Sequence, residues 1–592
     1  MPNRRDFLKH SALAAAIYST RGWAIPVAAS SQALPGEYHR RMAKWCDVVW
    51  KRMQQEPNAS LKELEEPKGW YHFPYTILPA AVLFAKQHPL NPGYRKQQNL
   101  DLALQIGDLV VREDQNGTFA PRLDSYRDVS LWIEAYALLE SDLGKERATR
   151  WRSVIERNVQ LLVPELQAWE NVPSYTENFL GSSPNHYAWW AATTLAAGHR
   201  FQRKEWVELA GRILHRFAST EQNPDGYWGE HNPDGPTGGY NYLTTLAVGT
   251  YWEYTKHPDA LVALRRATRF HTHTTYPDGN LIELFNDRNR YWHISYWGQF
   301  AFTHFPEGRS YAALLMRQMS DEKIDLDALG LIAQNALYYH DGPMLPSPPE
   351  STNYVYRLHA EAGVRKQGPW VTALSGIVDT PLPRSQWFLD RQADLAVFHE
   401  KTGPIIFGAH SKHQPELATF AERIQGEWIS TPKGSRLTQA PAKDSLAVAH
   451  NAFSAVIEIP PASHSELRID TLISGRGPIP EEGWFALQLN LKADTELRTG
   501  TGKSFQLSAE HLSLTAAELG GTIVHNGWEL HFDVPAELQW PVYPYNPYIN
   551  NKETKLEHAV GLLRIPLGLK ADAKQWLQVD EHRIGMRIRI PS

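Results

Sequence analysis

The sequence predicts an α+β multidomain protein in which helical hairpins, arranged in a ring or solenoid, are followed by an antiparallel β-sandwich. Two observations predict this class. Apolar residues recur with helical periodicity from about residue 35 to about 340, and short alternating segments follow the proline-rich run 345–349. The chain has 592 residues, of which 42% are hydrophobic and 21% charged, so it can bury large cores and is not disordered.

The first 33 residues are predicted to be a targeting segment. Arg4 and Arg5 precede a short, mildly apolar stretch over 11–19, and small residues near 27–33 offer cleavage points. The segment resembles a twin-arginine export signal, which implies the twin-arginine machinery as a partner and a periplasmic or secreted mature protein. Since no later stretch is long and apolar enough for a membrane span, we expect no membrane partner.

The helical region is predicted over 34–350. Its apolar stripe is illustrated by Trp132, Ala135, Tyr136 and Leu139, which are spaced at i, i+3, i+4 and i+7. Such segments are predicted at 35–56, 77–90, 98–112, 127–141, 145–163, 186–200, 204–220, 240–256, 258–274, 308–320 and 325–338. Proline, glycine and asparagine occupy the gaps. Consecutive helices without strand signals favour a ring or solenoid of hairpins.

The region 351–592 is predicted to be the β-sandwich. Alternating or short apolar segments are found at 395–398, 404–407, 455–459, 528–534 and 584–590. The last of these alternates with period two almost throughout. Many short strands separated by turn signals are typical of two packed antiparallel sheets.

Charge and cysteine content exclude several classes of protein. The chain has 60 Lys and Arg against 65 Asp and Glu, a net charge of −5, which argues against nucleic acid bound on a broad basic face. The single Cys46 excludes an internal disulfide framework and a multi-thiolate zinc site. His410 and His413 suggest half of a metal site, but no third ligand is evident. We therefore expect no cofactor, while a structural divalent metal stays open.

Polar residues capable of chemistry concentrate between 176 and 292. They form three clusters, at 178–187, at 225–242 and at 286–292, each at a loop between helices or at a helix start. In a helical ring, all three can open onto the same face. Together they supply an amide, imidazoles, a phenol and a guanidinium, without an obligatory carboxylate pair.

β-Elimination at a uronic acid needs this set of groups. A base removes the proton on C5, next to the sugar carboxylate, and the C4–O4 bond breaks. Asn185 and either Arg288 or Arg290 can neutralise the carboxylate, which is electrostatic stabilisation of about 3–4 kcal/mol per good donor. His186 or His231 titrates in the right range for a base. Tyr240 can act as acid or base beside a cation.

The spacing of these residues also carries a family resemblance. His231, Thr237, Gly238 and Tyr240, preceded by Asp225-Gly226, resemble the catalytic segment of the hyaluronate, chondroitin AC and xanthan lyase family. The resemblance implies an N-terminal (α/α) toroid and a C-terminal antiparallel β-sandwich. It also implies a catalytic Asn and Arg, which by position correspond to Asn185 and to Arg288 or Arg290. The adjacent Asn185-His186, followed by Tyr240, is similar to the heparinase II/III-like and alginate lyases.

Each candidate also has a structural alternative. Asn185 can be a helix N-cap, and His186 and His231 can be loop histidines bound to the backbone. Tyr240 can pack in the toroid wall, with Tyr242 as the active phenol instead. Arg288 and Arg290 can form salt bridges with Asp287 or Glu283.

Aromatic residues near the clusters are candidates for binding sugar rings or for the core. These are Trp189, Trp190, Trp228 and Tyr242. The aromatic loop 543–548 either lines a cleft between the two domains or is a rigid turn.

The predicted function is that of a polysaccharide lyase acting on an acidic polysaccharide or oligosaccharide. Asn185, His231, Tyr240 and Arg288 are its predicted catalytic residues. The alternatives are a glycoside hydrolase, using carboxyl groups among Asp225, Glu230 and Asp234, and a non-catalytic glycan-binding protein. The identity of the polysaccharide and the choice between endo and exo action stay open.

Overall fold

The structure is a computed structural model that describes the chain from residue 33 onward, with gaps. The described ranges are 33–65, 72–119, 126–176, 183–230, 235–291, 296–321, 324–378, 386–387, 389–475, 481–549, 552, 554–567 and 582–591. Residues 1–32 of the predicted export signal lie outside the described ranges. Within these ranges, no helix has both the length and the apolar character needed to cross a membrane.

The N-terminal part of the chain is helical. Its helices are α1 (Ala33–Gln55), α2 (Leu61–Glu65), α3 (Ile77–Ala85), α4 (Gln97–Gln115), α5 (Tyr126–Leu143), α6 (Lys145–Gln160), α7 (Leu162–Trp169), α8 (Pro184–Phe201), α9 (Lys204–Ser219), α10 (Gly238–Thr255), α11 (Pro258–His273), α12 (Gln299–Phe302), α13 (Pro306–Gln318) and α14 (Leu326–Leu337). Each predicted helix is present, whereas the short helices α2 and α12 were not predicted, and only residues 162–163 of α7 fall within a predicted helix, the one over 145–163.

The helices form a closed ring. The inner helices contact one another in the order α3, α5, α8, α10, α12 and α14, and α14 returns to contact α3 and α1. α4, α9 and α11 pack outside as partners of α3, α8 and α10. Because helices α3, α8 and α10 are enclosed by neighbours, they are buried on almost every side. The sequence predicted either a ring or a solenoid, and the helices form the ring.

The C-terminal part contains two antiparallel sheets. Its strands are β1 (Asn353–Arg357), β2 (Ala362–Gln367), β3 (Trp370–Ser375), β4 (Leu395–His399), β5 (Gly403–Phe407), β6 (Phe420–Ile424), β7 (Glu427–Ile429), β8 (Gly434–Ala440), β9 (Lys443–Ala449), β10 (Phe453–Ile459), β11 (Glu466–Gly475), β12 (Glu482–Leu489), β13 (Glu496–Thr499), β14 (Ser504–Gln506), β15 (Leu512–Leu514), β16 (Thr522–His525), β17 (Trp528–Phe532), β18 (Glu537–Val542), β19 (Val560–Pro566) and β20 (His582–Arg589). A short helix, α15 (Ala516–Leu519), lies between β15 and β16.

The two sheets differ in strand order. One runs β1-β2-β3-β4-β5-β12-β19-β18-β15, with β6 and β7 joined to β12. The other runs β14-β13-β16-β17-β20-β11-β10-β9-β8. Alternate residues of β20, Ile584, Met586 and Ile588, point into the core between the sheets, as period-two alternation predicts. The predicted class, a helical toroid followed by an antiparallel β-sandwich, is confirmed.

An apolar core also joins the two parts of the molecule. Phe270, Ile282 and Phe285 of the helical part pack in one cluster with Val364 and other residues of β2, β3 and β4. Nearby, the rings of Tyr276 and Phe398 stack with centroids 4.7 Å apart. The segment that follows α11 is therefore held against the first sheet, and this segment carries Arg288.

Candidate active site

The start of α8 positions Asn185. Ser183 is the N-cap of this helix and Pro184 occupies its first turn, so Asn185 is not the cap. The Asn185 side chain is buried, and its Nδ2 donates a hydrogen bond of 2.5 Å to Oε1 of Glu230. The Asn185 backbone N–H donates to the same carboxyl group. Glu230 therefore accepts hydrogen bonds from N–H groups at the helix start, where the backbone N–H groups have no partner within the helix.

Glu230 is buried beside charged groups. Burial raises the pKa of Glu230 to about 8, although the nearby Arg288 and the hydrogen bond from Asn185 act in the opposite direction. The carboxyl group is consequently mostly protonated at neutral pH. A neutral carboxyl group does not repel a bound anion, and it can donate a hydrogen bond.

Arg288 lies between aromatic rings from both parts of the molecule. Its Nη1 donates to Oδ2 of Asp287 at 2.7 Å and to the backbone carbonyl of Trp387. Its Cζ is 5.4 Å from the ring centroid of Tyr240 and 5.6 Å from that of Trp387. Burial opposes the charge, but Asp287 holds the pKa of Arg288 above its usual range. Arg288 thus forms the predicted ion pair with Asp287 and places a cation beside Tyr240.

Tyr240 lies in the first turn of α10 and is half-buried. Its hydroxyl oxygen accepts a hydrogen bond of 3.1 Å from the hydroxyl of Tyr548. Tyr548 belongs to the predicted aromatic loop between β18 and β19, and its ring packs edge-on against Trp387 with centroids 5.3 Å apart. The aromatic loop therefore contacts the site, as one of the two predicted alternatives requires.

A close backbone approach brings Tyr240 and Arg288 together. Thr237 forms an isolated antiparallel bridge with Asn286, and the backbone N–H of Gly239 donates to Oδ1 of Asn286 at 3.2 Å. A Cβ atom at Gly238 would lie 2.9 Å from the carbonyl oxygen of Phe285, closer than side chains tolerate. Glycine at 238 is what allows the start of α10 to contact the segment before Arg288.

The segment 286–291 is also anchored to the sandwich. Asn289, which has a left-handed backbone with φ of 54°, donates from Nδ2 to the carbonyl oxygen of His410 at 2.8 Å. The backbone N–H of His410 donates in return to Oδ1 of Asn289 at 2.7 Å. The Tyr291 hydroxyl donates to the carbonyl oxygen of Pro544 at 2.9 Å. These bonds fix the segment that carries Arg288 against loops of the first sheet, those that follow β5 and β18.

Three polar atoms of the site are buried without hydrogen-bond partners among the described residues. They are Oδ1 of Asn185, Nε of Arg288 and Oδ1 of Asp287. Buried polar atoms without partners cost free energy, and in native proteins they are uncommon. In this site they are atoms that a polar ligand can satisfy.

Two of the predicted site residues cannot be placed by their side chains. His231 lies outside the described residues, directly after Glu230 in the chain, and so does the side chain of Arg290. His186 lies in the first turn of α8, next to Asn185, and is half-buried. Of the two arginines, Arg288 is therefore the one whose contacts with the site are known.

Four aromatic residues that were candidates for substrate binding are part of the toroid core. Trp189, Trp190, Trp228 and Tyr242 are 1%, 4%, 2% and 1% exposed. Trp189 packs edge-on against Trp297, Trp228 donates from Nε1 to the carbonyl oxygen of Phe217, and the Tyr242 hydroxyl bonds that of Tyr311. None of the four has a face available to a sugar ring. They occupy the hydrophobic core, which was the alternative to sugar binding.

The carboxyl groups considered for a hydrolase do not form one group. Asp225 is hydrogen-bonded to His359 of the sandwich. Its Oδ1 accepts one bond from the His359 backbone N–H at 2.7 Å and one from His359 Nδ1 at 2.8 Å. Gly226 follows it with φ of 98°, where a side chain would collide with the carbonyl group of Arg266. Asp234 lies outside the described residues. Only Glu230 of this set is placed beside Asn185 and Arg288.

The predicted half metal site at His410 gains no third ligand in the described ranges. The His410 side chain is enclosed between the two parts of the molecule, and burial lowers its pKa to about 3. His413 lies in a turn, where its backbone N–H donates to Oδ2 of Asp390 at 2.7 Å. His410 is therefore a neutral residue of the interface.

Comparison with known proteins gives matches in fold only. No family model and no curated protein matches the chain by sequence. The structure of heparinase III matches with a TM-score of 0.50 and 10% identity, over 87% of this chain and 76% of that chain. Chondroitin AC lyase from Streptomyces coelicolor A3, in complex with chondroitin sulphate, gives 0.48 and 12% over 99% and 83%. Xanthan lyase from Paenibacillus gives 0.49 and 10% over 100% and 60%. The chain therefore has the fold of heparinase III, and the predicted resemblance to toroid-and-sandwich polysaccharide lyases is confirmed at the level of fold.

Proposed function

We propose that this protein is a polysaccharide lyase that cleaves uronic-acid-containing glycans by β-elimination. The observation that carries the proposal is the meeting of Asn185, Glu230, Tyr240 and Arg288 at one point between the helical ring and the sandwich. The fold shared with heparinase III supports the same class of reaction. The substrate class is an acidic polysaccharide or its oligosaccharides.

Arg288 and Asn185 are assigned to the uronate carboxylate. Nε of Arg288 is buried without a partner in the described residues, which supports its binding an anionic oxygen. Protonated Glu230 adds a third hydrogen-bond donor and no negative charge. Removal of the C5 proton develops enolate-like charge on this carboxylate. Each donor that binds more tightly to that charge lowers the barrier, by about 3–4 kcal/mol.

The base takes the proton from C5, the C5–H electrons form the C4–C5 double bond, and the C4–O4 bond breaks. Tyr240 is assigned to protonate the leaving O4, because Arg288 and the Tyr548 hydroxyl both stabilise negative charge on its oxygen. His231 is assigned as the base, with His186 taking that role for the opposite C5 stereochemistry. Tyr240 can serve as both base and acid in a substrate whose C5 proton and O4 lie on one face.

Trp387 is assigned as a sugar platform. Trp387 is half-buried and lies beside Arg288 and Tyr548, which supports its packing against a sugar bound next to the proposed carboxylate site. It replaces in this role the tryptophans that the structure places in the toroid core.

The proposal is tested by paired Tyr-to-Phe variants on α10. Incubation with a panel of uronic-acid polymers should release products that absorb in the ultraviolet, because elimination creates an unsaturated uronate. We expect Tyr240→Phe to lower kcat by about 10²–10⁴-fold, the usual contribution of general acid or base catalysis.

Tyr242→Phe is the matched control, two residues along the same helix and directed at Tyr311. It should keep kcat and lose some thermal stability. The assignment of Tyr240 is wrong if Tyr242→Phe is the inactive variant and Tyr240→Phe is not.

A glycoside hydrolase is the second candidate, favoured by the raised pKa of Glu230, which suits a general acid. Asp287, ion-paired with Arg288, would supply the second carboxyl group. Hydrolysis would generate reducing ends without ultraviolet absorbance, so the same assay separates the two reactions. A non-catalytic glycan-binding protein would give neither product, and its Tyr240→Phe variant would still bind the glycan.

We propose the location of the protein from its N-terminal sequence. Arg4 and Arg5 support export by the twin-arginine machinery. We propose a periplasmic or secreted enzyme that needs no organic cofactor.

A further inference from the structure

A second group of polar side chains lies at the far end of α10 from Tyr240. Glu253 is in the last turn of this helix, about 20 Å along the axis from Tyr240 at 1.5 Å per residue. His304 lies between α12 and α13, and His340 follows α14. Nε2 of His340 is 2.6 Å from Oε1 of Glu253, and Nε2 of His304 is 3.4 Å from the same oxygen. One ligand atom from each residue lies within 4.8 Å of the others.

The burial of this group is graded from inside to outside. The side chains of Glu253 and His304 are 8% and 7% exposed, whereas His340 is 34% exposed. Nε2 of His304 is buried and has no hydrogen-bond partner of acceptable geometry in the described part of the chain. Lys256 takes the other oxygen of Glu253, with Nζ 2.7 Å from Oε2. Oε1 of Glu253 is thus left facing the two imidazoles.

We propose that Glu253, His304 and His340 form a binding site for a divalent transition metal, with Zn²⁺ as the best match. Two imidazoles and one carboxylate are a common zinc ligand set that leaves the fourth position to water. Zinc–ligand distances of about 2.0–2.1 Å place tetrahedral ligand atoms about 3.3–3.4 Å apart. The separation between Glu253 and His304 already has this value. The shorter contact of Glu253 with His340 needs to lengthen by less than about 1 Å, and the partly exposed His340 offers an entry path.

The three ligands come from the ends of different elements of the ring. Glu253 ends α10, His304 belongs to the turn between α12 and α13, and His340 lies just beyond α14. A metal bound there would join the end of α10 to the turn before α13 and to the segment after α14. Its role is therefore to stabilise the toroid. It takes no part in the proposed elimination, which occurs at the opposite end of α10.

A second His/Asp group on the surface serves as a control. His215, His257 and Asp259 also bring ligand atoms within 4.8 Å, but their side chains are 44%, 38% and 44% exposed. Nδ1 of His257 accepts from the backbone N–H of Asp259 and caps α11, so this nitrogen is already used. We expect this group to bind metal weakly.

The experiment is a zinc titration of the full-length protein after treatment with a chelator. We expect one tightly bound Zn²⁺ by calorimetry, and a rise in the unfolding temperature on adding Zn²⁺. Glu253→Gln and His304→Gln should each weaken zinc binding by more than about 100-fold, since even second-shell changes cost 10–100-fold. His257→Gln should bind as the wild type does.

A further variant and a further metal test the site even if Glu253→Gln or His304→Gln fails to fold. His340→Gln changes the most exposed ligand and should also lose the zinc-dependent rise in unfolding temperature. Co²⁺ should give visible d–d absorption in the wild type and none in His340→Gln. The proposal is overturned if the wild type binds no zinc at micromolar concentration, or if zinc binding survives all three ligand variants. Turnover of uronate polymers should be unchanged by the chelator, which separates this site from the proposed active site.

Discussion

Asn185 already donates a hydrogen bond to Glu230, so its proposed contact with a uronate depends on the charge of that carboxyl group. With Glu230 protonated, the amide and the carboxyl group present neutral dipoles to the substrate. Once Glu230 ionises, a second negative charge stands beside the sugar carboxylate in a buried site, where screening is weak. The raised pKa of Glu230 thus links substrate binding to pH.

We expect the apparent affinity for uronate substrates to fall as pH rises through about 8, the pKa of Glu230. In Glu230→Gln, which keeps the size and an acceptor oxygen but cannot ionise, this alkaline loss should disappear. This loss is measured by profiles of kcat/KM against pH for the two proteins, since kcat/KM reports the pKa values of groups in the free enzyme. Superimposable alkaline limbs would show that another group is responsible.

Thermal stability gives a second readout of the same variant. The pKa of Glu230 is raised from 4.5 to about 8 on folding, so the folded protein binds the extra proton between these values. The free energy of unfolding contributed by Glu230 therefore falls as pH rises through this window and is constant above it. Glu230→Gln should be more stable relative to wild type at pH 9 than at pH 4. If the difference in stability between Glu230→Gln and wild type is the same at pH 4 and pH 9, Glu230 is not the group that titrates in this window.

At the scale of elements, the site is built where the starts of α8 and α10 meet the segment 286–291. Helix α8 supplies Asn185 in its first turn, and α10 supplies Tyr240 in its own first turn. The bridge between Thr237 and Asn286 then aligns α10 with Arg288. The site accordingly depends on a backbone contact as well as on its side chains.

Gly238→Ala should disturb this contact with little effect on the rest of the ring. The added Cβ would lie 2.9 Å from the Phe285 carbonyl oxygen, so the segment before Arg288 must move. We expect kcat/KM to fall by about 10–100-fold, corresponding to an overpacking strain of about 1–3 kcal/mol. Gly211→Ala, in α9, is the matched control, because a Cβ there meets nothing within 4 Å. It should keep activity and gain up to about 1 kcal/mol of stability. Equal activity in both variants would contradict the role of Gly238.

Helices and strands could be predicted where the sequence pattern that specifies them involves only nearby residues. The apolar stripes of the ring helices and the alternation in β20 gave elements close to those observed, because each depends on neighbours a few residues away. The start of α8 was predicted two residues late, since Ser183-Pro184 was assigned to a loop although proline is favoured in the first helical turn. The helix predicted over 145–163 ends directly before Pro164, whereas the observed helix breaks at Leu161 and α7 continues to Trp169, because proline is tolerated in the first turn of a helix.

At the scale of the whole molecule, the sandwich contributes to the site directly. Trp387 and Tyr548 contact Arg288 and Tyr240 from positions 99 and 308 residues further along the chain. Such contacts leave no periodic trace in the sequence, so Trp387 was not predicted and Tyr548 was only part of an aromatic loop. Similarly, Glu230 was considered for a hydrolase alone, because its hydrogen bond to Asn185 depends on how α8 and the segment before α10 pack.

If the sandwich takes part in catalysis, Tyr548→Phe should impair turnover without unfolding the protein. The Tyr548 hydroxyl donates to the Tyr240 oxygen, which becomes negative as Tyr240 gives its proton to O4. A hydrogen bond to a charged group is worth about 1.5–3 kcal/mol, so kcat should fall roughly 10–150-fold while KM changes little. Tyr545→Phe, in the same loop with its ring near Lys412, is the control and should keep kcat. A loss of kcat in both variants would mean that the loop acts by its overall conformation. Full kcat in Tyr548→Phe would mean that the helical ring alone supports the chemistry.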